Sequence, residues 1–202
     1  MKQIITIQHT QSIHHTNGMV GSWTDWDLSD RGIAQARMIG KNLKAFLGAT
    51  DAALYSSDLL RARHTAEIIG EALGLKPQLT SALRERNLGK CVGKSVAWLR
   101  ENMECVERTV DDRMFSDAES RRDEWMRLKP FFEELLASNE ETAIVVSHGD
   151  LLGVFCTMWL GLEPEALNTC DFSGMAGSVG ILQTTESGKR IVRRFGDLSF
   201  LN

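Results

Sequence analysis

Two histidines in this sequence stand directly after apolar runs that are typical of buried strands. His9 closes the stretch that begins with Ile4 and runs through Gln8, and His148 follows the run TAIVVS. A neutral imidazole can attack or accept a proton at pH 7, because its unperturbed pKa lies near 6.5. A lone histidine at a strand end is more often structural. Two of them at the carboxyl ends of strands in one sheet would share a cleft, which favours a catalytic role.

A cation and a carboxylate accompany these histidines. Arg61 lies one turn into the helix predicted after the strand AALYSS, where its planar guanidinium suits phosphate oxygens. It can instead pair with Asp58 on the helix surface. Glu85 lies in the charge run RER, and such runs are usually solvated. Two histidines, an arginine and a carboxylate in one cleft predict a phosphate site with an acid beside it.

The elements that must position these residues alternate strand and helix. Strands are predicted at Ile4–Ile7, AALYSS and TAIVVSH, and a hairpin that turns at Ser187-Gly188 closes the chain. Helices are predicted after Ser29, after Ser57 or Asp58, around VAWLREN, over ESRRDEWMRLKPFFEELLAS with a kink or split at Pro130, and over LLGVFCTMWLGL. This order predicts an α/β three-layer sandwich, with a mostly parallel central sheet flanked by helices.

Bulk composition narrows the class of protein. The chain has 202 residues, 43% hydrophobic and 25% charged, with a net charge of −4, which is typical of a globular protein and unlike a nucleic-acid binder. We expect one domain over residues 1–202, with a substrate-covering excursion at about 86–122. Four scattered cysteines, no signal peptide and no apolar run of membrane-spanning length predict a cytoplasmic protein that does not bind membranes.

Several motifs in order resemble the histidine phosphatase superfamily, the branch of phosphoglycerate mutase-like proteins. They are QHTQS, GSWTDWDLSDRGIAQA, YSSDLLRARHTAEII, LRERNLGKCVG and VVSHGD, followed by FGDLSFL near the end. Any one of them alone is weak, but together they cover most of the chain.

The resemblance implies roles for the residues above. His9 would be the nucleophile and form a phosphohistidine, with Glu85 and His148 as the other catalytic residues. Gln8, Arg61 and His148 would bind the phosphate. Candidate substrate-binding residues are Ser12, His15, Asn17, Trp23, Thr24 and Gly149. No cofactor and no metal is expected, because positioning and charge neutralisation carry most phosphoryl transfers.

The first motif departs from the family pattern. The family has Arg-His-Gly followed by Glu or Gln, and this chain has Gln8-His9-Thr10-Gln11. Losing a donor aimed at transition-state charge slows known enzymes by about 10²–10³-fold. We therefore expect a slow phosphatase, helped by another cation such as Arg84 or Arg86. Thr10 in place of glycine adds a β-carbon that could crowd the pocket.

Other functions stay open at this stage. The same chemistry permits a phosphoglycerate mutase-type transfer, although the short segment 86–120 favours hydrolysis. A pseudoenzyme would bind a phosphorylated ligand with little turnover. His14 and His15 can line the pocket or be ordinary loop residues, and with His9 and His148 they permit a metal site at a spacing that is not standard. The expected partner is a small phosphorylated metabolite, and a homodimer is open.

Overall fold

A computed structural model describes residues 2–202, and its centre is a six-stranded sheet with the spatial order β3-β2-β4-β1-β5-β6. In chain order the strands are β1 (Gln3–Gln8), β2 (Ala53–Ser57), β3 (Gln78–Thr80), β4 (Thr142–Ser147), β5 (Val179–Thr184) and β6 (Arg190–Asp197). The first four pair in parallel, and β5 runs antiparallel to both β1 and β6. The mostly parallel α/β sheet is therefore confirmed.

Helices cover both faces of this sheet. They are α1 (His14–Asn17), α2 (Asp30–Leu47), α3 (Leu60–Leu73), α4 (Val96–Asn102), α5 (Arg121–Ala137) and α6 (Gly149–Trp159). Buried apolar residues of α2 and α3 pack with Ile5 and Ile7 on one face. Those of α5 and α6 pack with Ile4 and Val145 on the other. The fold is the predicted three-layer sandwich.

The centre of the sheet brings the two histidines together. All four residues of Ile4–Ile7 are buried, as their β-branched and mostly apolar side chains predict for a strand covered on both faces. β1 pairs with β4 so that Gln8 lies opposite Ser147, and the His9 amide donates to the Ser147 carbonyl over 2.9 Å. His9 and His148 therefore leave neighbouring parallel strands at the same edge.

Three local predictions need correction. The helix predicted to begin at Ser57 or Asp58 starts at Leu60, because the Ser57 hydroxyl accepts from the Leu59 amide and no side chain caps the helix itself. α5 continues through Pro130 without a split. The Met126 carbonyl, which loses its bond there, lies on the exposed face, where water can bind it. The segment after Pro77 also contains β3, a short parallel edge strand that is absent from the strands predicted from sequence.

The excursion at about 86–122 folds back onto the loop that follows β1. Its buried residues Cys91, Phe115 and Ala118 form a small apolar cluster with Val20. The Val96 amide donates to the Gly18 carbonyl over 2.8 Å, so α4 begins against the same loop. No helix within residues 2–202 is long and apolar enough to cross a membrane.

Candidate active site

His9 is oriented by one backbone carbonyl and one cation. Its ring is 3% exposed, and Nδ1 lies 2.9 Å from the Thr10 carbonyl oxygen, which can only accept. Nδ1 therefore carries the hydrogen, and Nε2 keeps its lone pair. Nε2 accepts from Arg61 Nε over 3.2 Å. Burial and the Arg61 charge hold the pKa of His9 well below 6.5, so the ring is neutral at pH 7.

Arg61 is a buried cation with a fixed direction. Its Nη1 donates to the Thr24 carbonyl over 2.9 Å, and its Nη2 donates to the Ser22 carbonyl over 2.8 Å. Burial lowers the pKa of Arg61 to about 10, while Glu85 and Asp25 raise it, so the guanidinium stays charged at neutral pH. The pairing with Asp58 considered from sequence does not form, because Asp58 binds Arg84 instead. Arg61 thus places a positive charge beside His9 Nε2, whose lone pair accepts its Nε hydrogen.

His148 contributes an unpaired ring nitrogen to the same place. The ring is fully buried, its centroid lies 5.1 Å from that of His9, and Nε2 lies 2.8 Å from the Ser57 hydroxyl. Nδ1 is buried without a hydrogen-bond partner. Burial and the Arg61 charge hold its pKa well below 6.5. Because a buried polar atom without a partner is costly, Nδ1 is a candidate contact for a ligand.

Glu85 has one anchored oxygen and one free oxygen. Oε1 accepts from the backbone amides of Arg86, over 3.0 Å, and Leu151, over 3.3 Å. The side chain is half-buried, so the other oxygen is the one that can carry a proton towards a ligand. Burial, followed by the charge of Asp150, raises the pKa of Glu85 to about 7. A carboxyl group with this pKa can donate and then accept a proton at neutral pH.

Gln8 and Thr10, the two departures from the family motif, point in different directions. The Gln8 side chain lies between the backbone of Gly149, at the start of α6, and that of Gly174. The Thr10 amide donates to the Thr65 hydroxyl over 3.2 Å, and the two hydroxyl groups lie 3.3 Å apart. The Thr10 hydroxyl group therefore faces α3.

His14 and His15 lie beside His9. The His15 ring stacks on that of His9, at 5.4 Å between centroids and 7° between planes, and the His14 ring lies 5.8 Å from His9. One ring nitrogen from each of His9, His14 and His15 lies within 4.8 Å of the other two, close enough to surround a single ion. Burial is the main cause that lowers the pKa of His14, to about 3, and that of His15.

The remaining candidates are the other residues expected to bind substrate. Ser12 contacts the rings of both His14 and His15, and Gly149 begins α6 directly after His148. Trp23 donates to the Glu85 carbonyl over 2.6 Å, so it supports the loop that carries the acid. Asn17 is exposed at the end of α1, where its side chain accepts from the Met19 amide over 2.9 Å. Thr24 participates through its carbonyl, which accepts from Arg61.

Neither of the cations expected to assist Gln8 is free. Arg84 donates twice to Asp58, each time over 2.7 Å, and lies over the Trp23 ring. Arg86 pairs with Glu107 at 2.8 Å and with Asp150 at 3.3 Å. Both guanidinium groups are thus held by carboxylates.

Sequence reasoning missed three groups that hold site residues by hydrogen bonds. The Ser57 hydroxyl contacts His148, the Thr65 hydroxyl accepts from the Thr10 amide, and the Ser22 carbonyl accepts from Arg61. Thr65 follows Arg61 by four residues and therefore lies on the same face of α3, a signal that was available. The carbonyl of a loop residue leaves no trace in a sequence.

Comparison with known proteins places this arrangement in a family. The family model described as histidine phosphatase superfamily (branch 1) matches residues 4–196. The chain is 32% identical over 174 residues to a 2,3-bisphosphoglycerate-dependent phosphoglycerate mutase of Bradyrhizobium diazoefficiens, covering 81% of this chain and 84% of that protein. It is 29% identical over 184 residues to a probable phosphoglycerate mutase of Erwinia tasmaniensis, covering 86% and 84% of the two chains.

Solved structures share the fold at lower identity. A mycobacterial glucosyl-3-phosphoglycerate phosphatase in complex with VO3 superposes with a TM-score of 0.83 at 23% identity, covering 97% of this chain and 99% of that one. YhfR of Bacillus stearothermophilus superposes with a TM-score of 0.83 at 22% identity, covering all of both chains. With the family model matching nearly the whole sequence, the chain belongs to branch 1 of the histidine phosphatase superfamily.

Proposed function

We propose that the protein hydrolyses a small phosphomonoester through a phosphohistidine intermediate on His9. The observation that carries this proposal is the pair of contacts on one ring: Nδ1 donates to the Thr10 carbonyl, and Nε2 faces Arg61 at 3.2 Å. A neutral imidazole with this tautomer has its lone pair next to a fixed positive charge. That arrangement suits attack on a phosphorus atom whose oxygens carry negative charge.

In the first step, the Nε2 lone pair of His9 forms a bond to phosphorus. The bond between phosphorus and the ester oxygen breaks, and its electron pair stays on that oxygen. Glu85, with a pKa raised to about 7, supplies the proton that the leaving oxygen takes up. As Nε2 attacks, its hydrogen bond from Arg61 Nε is given up, and Arg61 and the unpaired Nδ1 of His148 donate to the non-bridging oxygens.

In the second step, water attacks the phosphorus atom and the bond to Nε2 breaks. Glu85 accepts the proton that water loses, so the enzyme returns to its starting state and the net reaction consumes one water molecule. Arg61 and His148 neutralise the charge in this scheme, and no metal or cofactor takes part in it. Gln8, in place of the family arginine, makes the reaction slow.

A phosphoglycerate mutase activity is the second candidate, because the relatives named above are a phosphoglycerate mutase and a probable one. A mutase must protect its phosphohistidine from water while products exchange. His15, which stacks on His9, is exposed, and the excursion contributes only the seven-residue α4 as a regular helix. Because the exposed His15 lies next to the buried His9, water has a short route to a phosphoryl group on His9, which favours hydrolysis.

Labelled substrates decide between the candidates. The protein is incubated with position-labelled phosphoglycerates and with a panel of phosphomonoesters, and both free phosphate and label position are measured. Release of free phosphate supports the proposal, and redistribution of label without release supports a mutase. His9→Ala is expected to lose the activity. The matched control is His64→Ala, which should keep the activity, because His64 lies on α3 and pairs with Asp27. No turnover of any ester, with phosphate binding retained, would identify a pseudoenzyme.

A further inference from the structure

Arg86 is a buried cation that directly follows Glu85 in the chain. It is 5% exposed, and its backbone amide donates to Glu85 Oε1 over 3.0 Å. An unpaired guanidinium in this place would be drawn to the free oxygen of Glu85, because a buried charge without a partner is costly. The reaction scheme above needs that oxygen to carry a proton, and a neighbouring cation favours the ionised carboxylate instead. The direction of the Arg86 side chain therefore affects the acid.

Two carboxylates other than Glu85 hold the Arg86 guanidinium. Glu107, in the excursion, accepts from Arg86 Nη1 over 2.8 Å, and Asp150, in the first turn of α6, lies 3.3 Å from Nη2. The third nitrogen, Nε, is buried and has no hydrogen-bond partner within residues 2–202. The direction of the guanidinium is thus set by Glu107 and Asp150. We name Arg86, Glu107 and Asp150 together the Arg86 clamp.

Arg121 fixes Asp150 from the other side. Its Nη1 donates to the Asp150 carbonyl over 3.2 Å, and its Nη2 lies 3.8 Å from Asp150 Oδ1. Nη2 also donates to Asp171 over 2.6 Å. Because α5, which carries Arg121, packs in the same apolar core as α6, the Asp150 carboxylate has a fixed place between two guanidinium groups.

The other charged groups around Glu85 are paired or favour their neutral form. The full set comes from the loop of Glu85 and from three helices: Arg86, Arg61 on α3, Arg121, Glu124 and Arg127 on α5, and Asp150 on α6. Arg61 donates to two loop carbonyls, and Arg127 donates twice to Glu119. Burial raises the pKa of Glu124 well above 4.5, which favours its neutral form. Arg86 is thus the cation whose pairing decides how much positive charge Glu85 meets.

We propose that Asp150 and Glu107 are positioning residues, which hold the Arg86 guanidinium away from the free oxygen of Glu85 and so keep Glu85 available as the acid. This inference rests on the proposed function, in which Glu85 protonates the leaving oxygen. Burial and the charge of Asp150 raise the pKa of Glu85 to about 7, while Arg61 and Arg86 lower it. A guanidinium released from the clamp would pair with Glu85 and lower this pKa by about 1–3 units.

The test measures where the acid titrates after one side of the clamp is removed. Asp150→Asn and Glu107→Gln each remove one carboxylate charge, and Arg86→Met removes the cation but keeps most of its stem. The matched control is Asp111→Asn, which removes an exposed carboxylate that pairs with Arg122. The readout is kcat/KM as a function of pH, with an alkyl phosphomonoester and with nitrophenyl phosphate, whose leaving group needs no proton. Urea unfolding shows whether each variant is folded.

Three results are expected. With the alkyl ester, Asp150→Asn and Glu107→Gln move the alkaline fall of kcat/KM from about pH 7 to lower pH by about 1 unit, which slows the reaction about tenfold above pH 7. With nitrophenyl phosphate, both variants stay within about twofold of the wild type, and so does Asp111→Asn with either ester. Compared with Arg86→Met alone, the double variant with Glu107→Gln keeps its alkaline fall in place, because no guanidinium remains to be released.

The inference is overturned if folded Asp150→Asn and Glu107→Gln keep the wild-type alkaline fall, or if Glu107→Gln shifts it equally with and without Arg86. A loss that is equal for both esters and independent of pH also overturns it. Each variant removes a different side of the clamp, so the other decides if one does not fold.

Failure of this inference is separable from failure of the proposed function. If the wild type hydrolyses the esters and only the shift is absent, the proposed function stands. If the wild type turns over no ester, the proposed function fails, and urea unfolding alone tests the clamp. The stability difference between Glu85→Gln and its parent should then reach its plateau about 1 pH unit lower in the Glu107→Gln background than in the wild type, and an unchanged plateau overturns the inference.

Discussion

Replacing Glu85 with glutamine should change both the free energy of unfolding and the reaction rate, because both depend on the ionisation of this one carboxyl group. The Glu85 oxygen Oε1 accepts from two backbone amides, those of Arg86 and Leu151, and a glutamine carbonyl oxygen can keep both bonds. The substitution therefore removes the ionisation and the transferable proton and leaves the anchoring in place. In the folded protein, burial raises the pKa of this carboxyl group from 4.5 to about 7.

A raised pKa means that the folded state holds the proton more tightly than the unfolded chain. Below pH 4.5, Glu85 is neutral in both states, so the wild type and Glu85→Gln should be equally stable. As the pH rises from 4.5 to about 7, the unfolded chain ionises first, and the wild type loses stability relative to the variant. The upper limit of this difference is about 3 kcal/mol. Because Glu85 is only half-buried, we expect about 1–3 kcal/mol.

Two measurements follow this titration. Urea unfolding of both proteins between pH 4.5 and 8.5 should show a difference that grows up to pH 7 and then stays constant. With an alkyl phosphomonoester, whose leaving oxygen needs a proton, kcat/KM of the wild type should fall above pH 7, and the variant should be about 10²–10⁴-fold slower with no such fall. A stability difference that does not vary with pH, or a variant that keeps the wild-type alkaline fall, would refute the reasoning.

Three further substitutions test separate parts of the account. Gln8→Arg should raise kcat on a phosphomonoester by about 10–100-fold in a phosphate-release assay, and an unchanged or lower kcat would contradict the slow-phosphatase proposal. Gly32→Ala should lower the free energy of unfolding, measured in urea, by about 1–3 kcal/mol, because the added Cβ would lie 1.9 Å from the Gln11 carbonyl oxygen. A Gly32→Ala variant as stable as the wild type would show that α2 can shift to make room. Glu124 is fully buried with neither carboxyl oxygen hydrogen-bonded, and burial raises its pKa well above 4.5. Glu124→Leu should therefore stabilise the protein by about 1–4 kcal/mol in urea, more at pH 8.5 than at pH 5, and a loss of stability at both pH values would contradict this.

The ends of the strands could be predicted because the residue patterns that determine them lie within short stretches of sequence. A β-branched, mostly apolar run such as Ile4–Ile7 predicts a strand buried on both faces, and parallel strands bring their carboxyl ends to one edge. These two rules predict that His9 and His148 lie together, and the place of Arg61 follows from its position one turn into the next helix. The Ser29 cap of α2 was equally local, since its hydroxyl accepts from the Gly32 amide.

The rest depends on contacts between segments far apart in the chain. Pro130 by itself predicts a kink or a split, but it lies on the exposed face of α5, and the helix continues without a split. Ser57 has the side chain of a helix cap, yet it faces His148 and Leu59 instead. The stacking of His15 on His9 requires the one-turn helix α1 and the Ser12 contacts, none of which has a periodic pattern.

The most direct test of the central claim is to look for phosphate on His9 during turnover. The protein is mixed with a ³²P-labelled phosphomonoester, quenched in alkali, and assayed for bound label that survives alkali and is released by acid. The account predicts such label on the wild type and on His64→Ala, and none on His9→Ala. A wild-type protein that releases phosphate without ever carrying this label, or a His9→Ala variant that carries it, would contradict the account.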